Sequence, residues 1–456
     1  MTLQTTHATT TNQTQSLPAP GALAHHWDLD PHTVYLNHGG FGVTPRAVAA
    51  HQAKLRARID ANPTKFYVDD LPGLMDEARH GASAFLSCAW DQIAFVPNAT
   101  TGVATAFHNL DASPGDEIIV NDHEYPACLN IARAWAKRTG AKVVSVTLPF
   151  PVTDPNQITR AVIDAVTPKT RYCLLSAITS PSGMVVPHAE IVRELRTKNI
   201  ETILDAAHAP GCTAFDVDKI GAAYTTGNFH KWVNAPKSVA FLHVRRDILD
   251  AHERKDGFRP VVLSNNAEKP KPNRAQFLTE FDYVGTSDPT AALCVPVAIK
   301  CMREMHDADW TGVYQHNHDL AVRGREIIIE TLGSEFPVIR GAPDHMLASM
   351  ASMILPLHPL QQRMLKNTEK IFDSDKDLTS HSSVPLIPAD PRWTTRYLDP
   401  VWDRLVDAHA IQVPVFQTRA GRTLRISAQL YNSIDQYQYL ACTLRSELAN
   451  EQCAFA

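Results

Sequence analysis

No apolar run in the 456-residue sequence approaches the roughly 20 residues that a bilayer-spanning helix needs, so no membrane partner is expected. There is no basic surplus either. Lys and Arg number 43 against 48 Asp and Glu, a formal net charge of -5. Such a chain has little with which to neutralise a phosphate backbone, and nucleic acid is not an expected partner. Cysteine is scarce and scattered: Cys88, Cys128, Cys173, Cys212, Cys294, Cys301, Cys442 and Cys453 form no C-x-x-C pair and no short disulfide framework. Thiols in a reducing cytoplasm, most of them small core residues, are the expectation. No Gly-x-x-x-x-Gly-Lys loop and no internal repeat occurs. Gly40-Phe41-Gly42 opens like a dinucleotide fingerprint, but Pro45 stands where the third glycine belongs. His25 and His26 lack a spaced partner for zinc, and His316-Asn317-His318 reads as a solvated helix face, so no metal is expected. Met1 to Pro20 is rich in Thr, Gln and Pro without a basic or apolar leader, and reads as a disordered tail.

What is there is ordinary globular material, 44% apolar and 20% charged, in a chain longer than one compact core usually supports. From Trp90 to Val244, β-rich runs at Ile93–Val96, Glu117–Val120, Lys142–Thr147, Tyr172–Ile178, Thr202–Asp205, Ala223–Thr226 and Ala240–Val244 alternate with helical spacing at Cys128–Arg138, Asn156–Ala165 and Ala189–Lys198. Strands separated by helices of this length imply an α/β fold with a mainly parallel sheet. Such sheets bind ligands beyond the carboxyl ends of their strands. Lys255 to Gln276 reads as a long surface loop. Helical spacing recurs at Ala291–Met305 and His318–Leu332, and past Val338 short strands and helices suggest a smaller α+β domain. The expected division is a large domain over 21–310, its N-terminal segment closing the site, and a small one over 311–456.

Three junctions carry chemistry. Asp205-Ala206-Ala207-His208 ends an apolar strand, where a carboxylate serves equally well to cap a turn. In Ala223–Trp232 a strand gives way to Asn228-Phe229-His230-Lys231-Trp232. A lysine desolvated among such neighbours has a depressed pKa and forms imines with aldehydes, whereas Lys237 reads as a plain surface charge. Asn98-Ala99-Thr100-Thr101-Gly102 precedes the helical run Val103–Asn109, and its hydroxyls and free N–H groups make either an anion site or a simple cap.

Taken in order, with Asn37-His38-Gly39-Gly40-Phe41-Gly42, Asp122-His123-Glu124-Tyr125, Thr179-Ser180-Pro181-Ser182-Gly183, Asp205–Gly211, His230-Lys231-Trp232, Gly285-Thr286-Ser287-Asp288 and Arg425-Ile426-Ser427-Ala428, the pattern resembles fold-type I pyridoxal-phosphate enzymes. It is most similar to the class V aminotransferase family, in particular isopenicillin N epimerase and its relatives. The resemblance runs from about residue 27 to 448. It implies pyridoxal 5′-phosphate as cofactor, held as an imine on Lys231, which also serves as base at the substrate Cα. It implies Asp205 at the pyridine nitrogen, His208 near the ring hydroxyl with Ser180, and Tyr125, or else His123, on the ring face. Ala99, Thr100, Thr101, Asn228 and His230 are implied at the phosphate, with Thr286 reaching it from a neighbouring subunit of a homodimer that shares its sites. Arg425 is implied at the substrate carboxylate, and Asn37 and His38 close over the substrate. The family more often has Gly at Ala206, and Ser or Gly at Gly40; the epimerases often have Ser at Asn228.

Epimerisation, β- or γ-elimination and transamination all follow from such a site. Desulfurases of this family need a mobile C-terminal cysteine, and none lies between Cys301 and Cys442. An epimerase-like enzyme acting on an amino acid is the first expectation, a carbon–sulfur lyase the second. Epimerisation needs a proton donor opposite Lys231, for which Tyr125, His123 and His38 are candidates. A non-catalytic binding protein would be expected to have lost the lysine, the aspartate or the phosphate cup, and all three are intact.

Overall fold

The computed structural model describes residues 16–268, 273–368, 396–397 and 399–455. The expected tail therefore lies outside the described residues up to position 15, and most of the Pro356–Asp390 stretch does too. Ser16 to Pro20 are tied down: Ser433 donates its hydroxyl to the Ala19 carbonyl at 2.7 Å, and Gly21 N–H reaches the Tyr431 carbonyl at 2.8 Å.

All seven expected strands form, and they form one sheet. They are β1 (Ile93–Val96), β2 (Glu117–Asn121), β3 (Lys142–Val146), β4 (Thr170–Ser176), β5 (Glu201–Asp205), β6 (Tyr224–Asn228) and β7 (Ala240–Val244), in the order β1-β7-β6-β5-β4-β2-β3. β7 alone runs antiparallel to its two neighbours; the other pairings are parallel. Every residue of β6 and β7 is buried, as both faces of such a sheet are covered by helices. The helices expected between strands are Pro126–Thr139, Pro155–Asp164 and His188–Thr197. The last two bury Ile158, Val162, Ile191, Val192 and Leu195 and leave their polar sides to water.

A second, antiparallel sheet orders Val415–Thr418, Gly421–Ser427, Met350–Ile354 and Ile339–Arg340 side by side, backed by the helix Asp309–Leu332, against which Ile434–Phe455 packs. The beginning of the chain joins this part, because Val34–Tyr35 pairs in parallel with Ile411–Gln412. Of the described part of the expected surface loop, one turn at Asn265–Glu268 is regular, and Gln276 already begins the helix Gln276–Asp282; positions 269–272 lie outside the described residues. Asn317, expected on a solvated face, is buried and donates to Gln429 at 3.2 Å. Among the described residues no helix is long and apolar enough to cross a membrane, no His/Cys/Asp/Glu group is suited to a metal, and all eight cysteines are free.

Candidate active site

The carboxyl ends of β1, β2, β4, β5 and β6 share one edge of the sheet, and each delivers a segment singled out in the sequence. β1 leads into the helix Ala99–His108, capped by Asn98, whose Oδ1 accepts from the Thr101 N–H at 2.8 Å and its hydroxyl at 3.1 Å. Thr101 is therefore spent on the cap rather than on a ligand. Ala99 N–H is also taken, by Asn228 Oδ1 at the end of β6, 2.9 Å away. Among the described residues, neither the N–H nor the hydroxyl of Thr100 has a protein partner. Those free donors at a helix N-terminus are what an anion requires. The helix comes this near to β6 only because position 102 is glycine, where a Cβ would lie 2.0 Å from Thr226 Oγ1.

Beyond β6, His230 Nδ1 bonds the Val239 carbonyl at 2.9 Å, which leaves Nε2 as the free ring nitrogen. Burial, offset by that bond, together with Lys231 and Lys237, pushes its pKa down to about 4. Next comes Lys231, whose Nζ lies 3.3 Å from His208 Nε2. Burial of the amine and the nearby Arg425 guanidinium push its pKa down to about 8. This is the desolvated amine that imine chemistry calls for.

Asp205 closes β5 with its carboxylate buried. Oδ1 accepts from Ala207 N–H at 2.9 Å, and Oδ2 meets only the Cys128 thiol, at 3.3 Å. Burial raises its pKa, against the pull of the Ala207 N–H, the Cys128 thiol and Lys231. A buried carboxylate without a guanidinium partner is set up to receive a cationic N–H from a ligand. Cys128, expected as plain core, is thus part of the site, as is Glu124. The Glu124 carboxyl accepts from Ser176 N–H at 2.7 Å and from the Ser176 hydroxyl at 2.5 Å, and from Asn121. Burial and the nearby Asp205 push it up to about 8, against the donors that bond it. A carboxylate in the turn after a strand, inside a segment already singled out, was the available signal for Glu124. For Cys128 it was the spacing of three from Tyr125 along a helix.

Tyr125 stands at the start of the helix Pro126–Thr139 and is 45% exposed, an unusual degree for a large ring beside a sheet edge. His123 instead is buried, its Nδ1 2.8 Å from Ser182 Oγ and its ring edge-on to Phe150. Arg425, on the strand Gly421–Ser427, donates to the Ser180 carbonyl and, at 3.2 Å, to Asn37 Oδ1; its guanidinium lies 5.0 Å from the Phe416 ring centre. Its Nε is buried without a hydrogen-bond partner, which leaves a donor edge for a carboxylate. Ser180 is thereby engaged through its backbone. Arg419, in the turn of the same hairpin, reaches across to Thr147 Oγ1 at 2.6 Å and Asp122 at 3.4 Å.

His38 departs from its expected place over the substrate. It is fully buried, and both ring nitrogens are bonded, Nδ1 to the Tyr431 hydroxyl at 2.8 Å and Nε2 to the Lys231 carbonyl at 3.0 Å. Asn37 does face Arg425, so the segment contributes one residue rather than two. Thr286 lies apart from this edge, exposed, with its hydroxyl 3.1 Å from that of Tyr283.

A sheet margin that gathers a desolvated lysine, a buried aspartate and an anion cup, with an arginine of the second sheet bonded to the Ser180 carbonyl beside it, fits an enzyme that works through an aldehyde cofactor. The aminotransferase class-V model matches residues 34–283, and the chain belongs to that family. Isopenicillin N epimerase of Amycolatopsis lactamdurans is 28% identical over 423 residues, 91% of this chain and 96% of that protein. L-cysteine desulfhydrase of Arabidopsis thaliana is 27% identical over 336 residues, 70% of each chain. Among solved structures, a C-DES variant with glycine covalently linked to its pyridoxal-phosphate cofactor superposes with a TM-score of 0.71 at 18% identity, covering 92% of this chain and 98% of that one. The residues present fit pyridoxal phosphate: Lys231 for the aldehyde, Asp205 for the ring nitrogen and the Thr100 donors for the phosphate.

Proposed function

We propose that this protein is a pyridoxal-phosphate enzyme that removes and returns the Cα proton of an amino acid, in the manner of isopenicillin N epimerase. One observation carries the reading: the buried Lys231 amine lies within the electrostatic reach of the Arg425 guanidinium, whose Nε is buried without a partner. When bound, pyridoxal phosphate supplies the electron-withdrawing ring that makes the Cα proton removable. Arg425 grips the substrate carboxylate in a fork and Asn37 steadies the guanidinium. Lys231 Nζ, near half protonated at about pH 8, takes the proton from its own face of Cα. Asp205 holds the proton on the ring nitrogen, with Cys128 and Ala207 fixing its carboxylate. His208 would hold the ring oxygen. Tyr125, half exposed, is the side chain we assign to proton delivery on the opposite face; His38 is excluded by its two occupied nitrogens.

The near-complete alignment with the Amycolatopsis epimerase supports epimerisation. The L-cysteine desulfhydrase relative supports a second reading, β-elimination at a carbon–sulfur bond without a persulfide-carrying cysteine. We take residues 21–310 as the cofactor-binding domain and 311–456 as the smaller one, working in a reducing cytoplasm. We also assign a homodimer with shared sites. In support, Tyr67 bonds the Ser287 carbonyl and Ser264 bonds that of Tyr283, which draws the exposed Val68, Val261, Val262, Leu263 and Val284 around Thr286.

Incubation with single enantiomers of an amino-acid panel, one bearing an aminoadipyl chain, in deuterated water tests the reaction. Inverted product carrying deuterium at Cα is expected. Pyruvate with a released thiol, and no inversion, would replace the first reading with the second.

A further inference from the structure

Trp232 directly follows the cofactor lysine, and its indole is completely buried. Its Nε1 lies 3.3 Å from His208 Nδ1, and His208 Nε2 lies 3.3 Å from Lys231 Nζ. An indole N–H only donates. Nδ1 of His208 must therefore be the acceptor, so the neutral ring carries its proton on Nε2 and donates it to the Lys231 amine in that amine's neutral form. No second arrangement of protons satisfies the Trp232 bond.

The indole is not free to turn away. It packs against the His38 ring at 4.9 Å, and a Cβ at Gly39 would stand 3.2 Å from its Cζ2. His38 is itself clamped between the Tyr431 hydroxyl and the Lys231 carbonyl. The groups facing His208 are Lys231, Arg425 and His230, which along with burial disfavour a second proton on its ring.

We propose that Trp232 is a positioning residue that locks His208 as a permanent Nε2–H donor toward Lys231 and the ring oxygen of the cofactor. The proposal rests on the cofactor assignment made above. A donor at the ring oxygen draws electron density from it, weakens the hold of that oxygen on a proton shared with the Lys231 nitrogen, and so lowers the pH at which that proton leaves. Without the indole N–H, His208 is free to carry its proton on Nδ1 and present a lone pair instead.

Two readouts test this. The first needs no cofactor: nitrogen-15 spectra of the apoprotein above about pH 8, where the Lys231 amine is neutral, with His208 assigned by its loss in His208→Gln, report which ring nitrogen is protonated. Protonated Nε2 and bare Nδ1 are expected, and a protonated Nδ1 would overturn the proposal while leaving the cofactor assignment intact. The second is the pH midpoint of the visible band of the holoenzyme. Trp232→Phe should raise it by about half to one pH unit, the equivalent of one ordinary hydrogen bond. In a His208→Gln background the same change should add nothing. A site-specific benzothienyl analogue at position 232, which keeps the indole shape and lacks the N–H, should reproduce the shift if phenylalanine disturbs packing. An unmoved midpoint in the analogue, or an equal shift in both backgrounds, overturns the lock. Absence of any visible band in wild-type protein supplied with pyridoxal phosphate defeats the cofactor assignment instead.

Discussion

His38 Nε2 donates to the backbone carbonyl of Lys231 across 3.0 Å, although 193 positions separate the two. The ring is neutral, so its Nδ1 accepts from Tyr431 and no lone pair is left over. Burial pushes its pKa down to about 3. Unfolded histidine titrates near ~6.5, so between these values the unfolded chain binds the extra proton and stability falls as pH drops through that window. Denaturant unfolding at pH 5 and pH 7 should show a smaller pH difference for His38→Gln than for wild type. His38→Ala strands two buried groups and should lower stability by about 2 kcal/mol or more. An unchanged pH difference would remove the burial argument.

Attachment of the cofactor should follow the ionisation of Lys231. The folded pKa, about 8, is below that of a free lysine. The rate at which apoprotein develops a visible band with added pyridoxal phosphate should climb up to about pH 8 and then level off. An ordinary lysine would keep climbing toward ~10.4. Stopped-flow absorbance distinguishes the two, and Lys231→Ala should give no band.

Arg425→Lys keeps the charge and loses the fork, along with its anchors on Ser180 and Asn37. KM should rise by about tenfold to a hundredfold, with kcat less affected, because the fork binds ground state and transition state alike. Steady-state kinetics with the preferred amino acid decide this. An unaltered KM would place the carboxylate elsewhere.

On the proposed homodimer with shared sites, Thr286→Ala should leave the assembly intact in light scattering and loosen cofactor retention by about tenfold, as expected for the loss of one phosphate hydrogen bond. A monomer with full activity would contradict the shared site.

Much of the sheet was legible because buried parallel strands are dense in Val, Ile and Leu, and their ends fall where polar residues resume. β4 shows the limit: the apolar run reaches Ile178, yet the ladder ends at Ser176 because the next residues turn into the site. The reversed direction of β7 left no mark, since an antiparallel strand covered on both faces reads like its neighbours. Arg46–Ala61 is helical with only Val48 and Leu55 buried, too faint a stripe to announce itself. At the site, Lys231, Asp205 and Arg425 were legible as residues in a known order. The partners of His38, the thiol on Asp205 and the burial of Glu124 depend on contacts between distant segments, which spacing along the chain does not encode.

The pairing of Val34–Tyr35 with Ile411–Gln412, and of Ala19 with Ser433, makes the segment from Ala19 to Tyr35 a structural seam rather than an appendage. Shortening the protein past position 36 would unzip a two-stranded ladder and withdraw the Leu36 carbonyl from Ser427, two residues beyond Arg425. Truncation that enters this segment should therefore loosen the strand that carries Arg425.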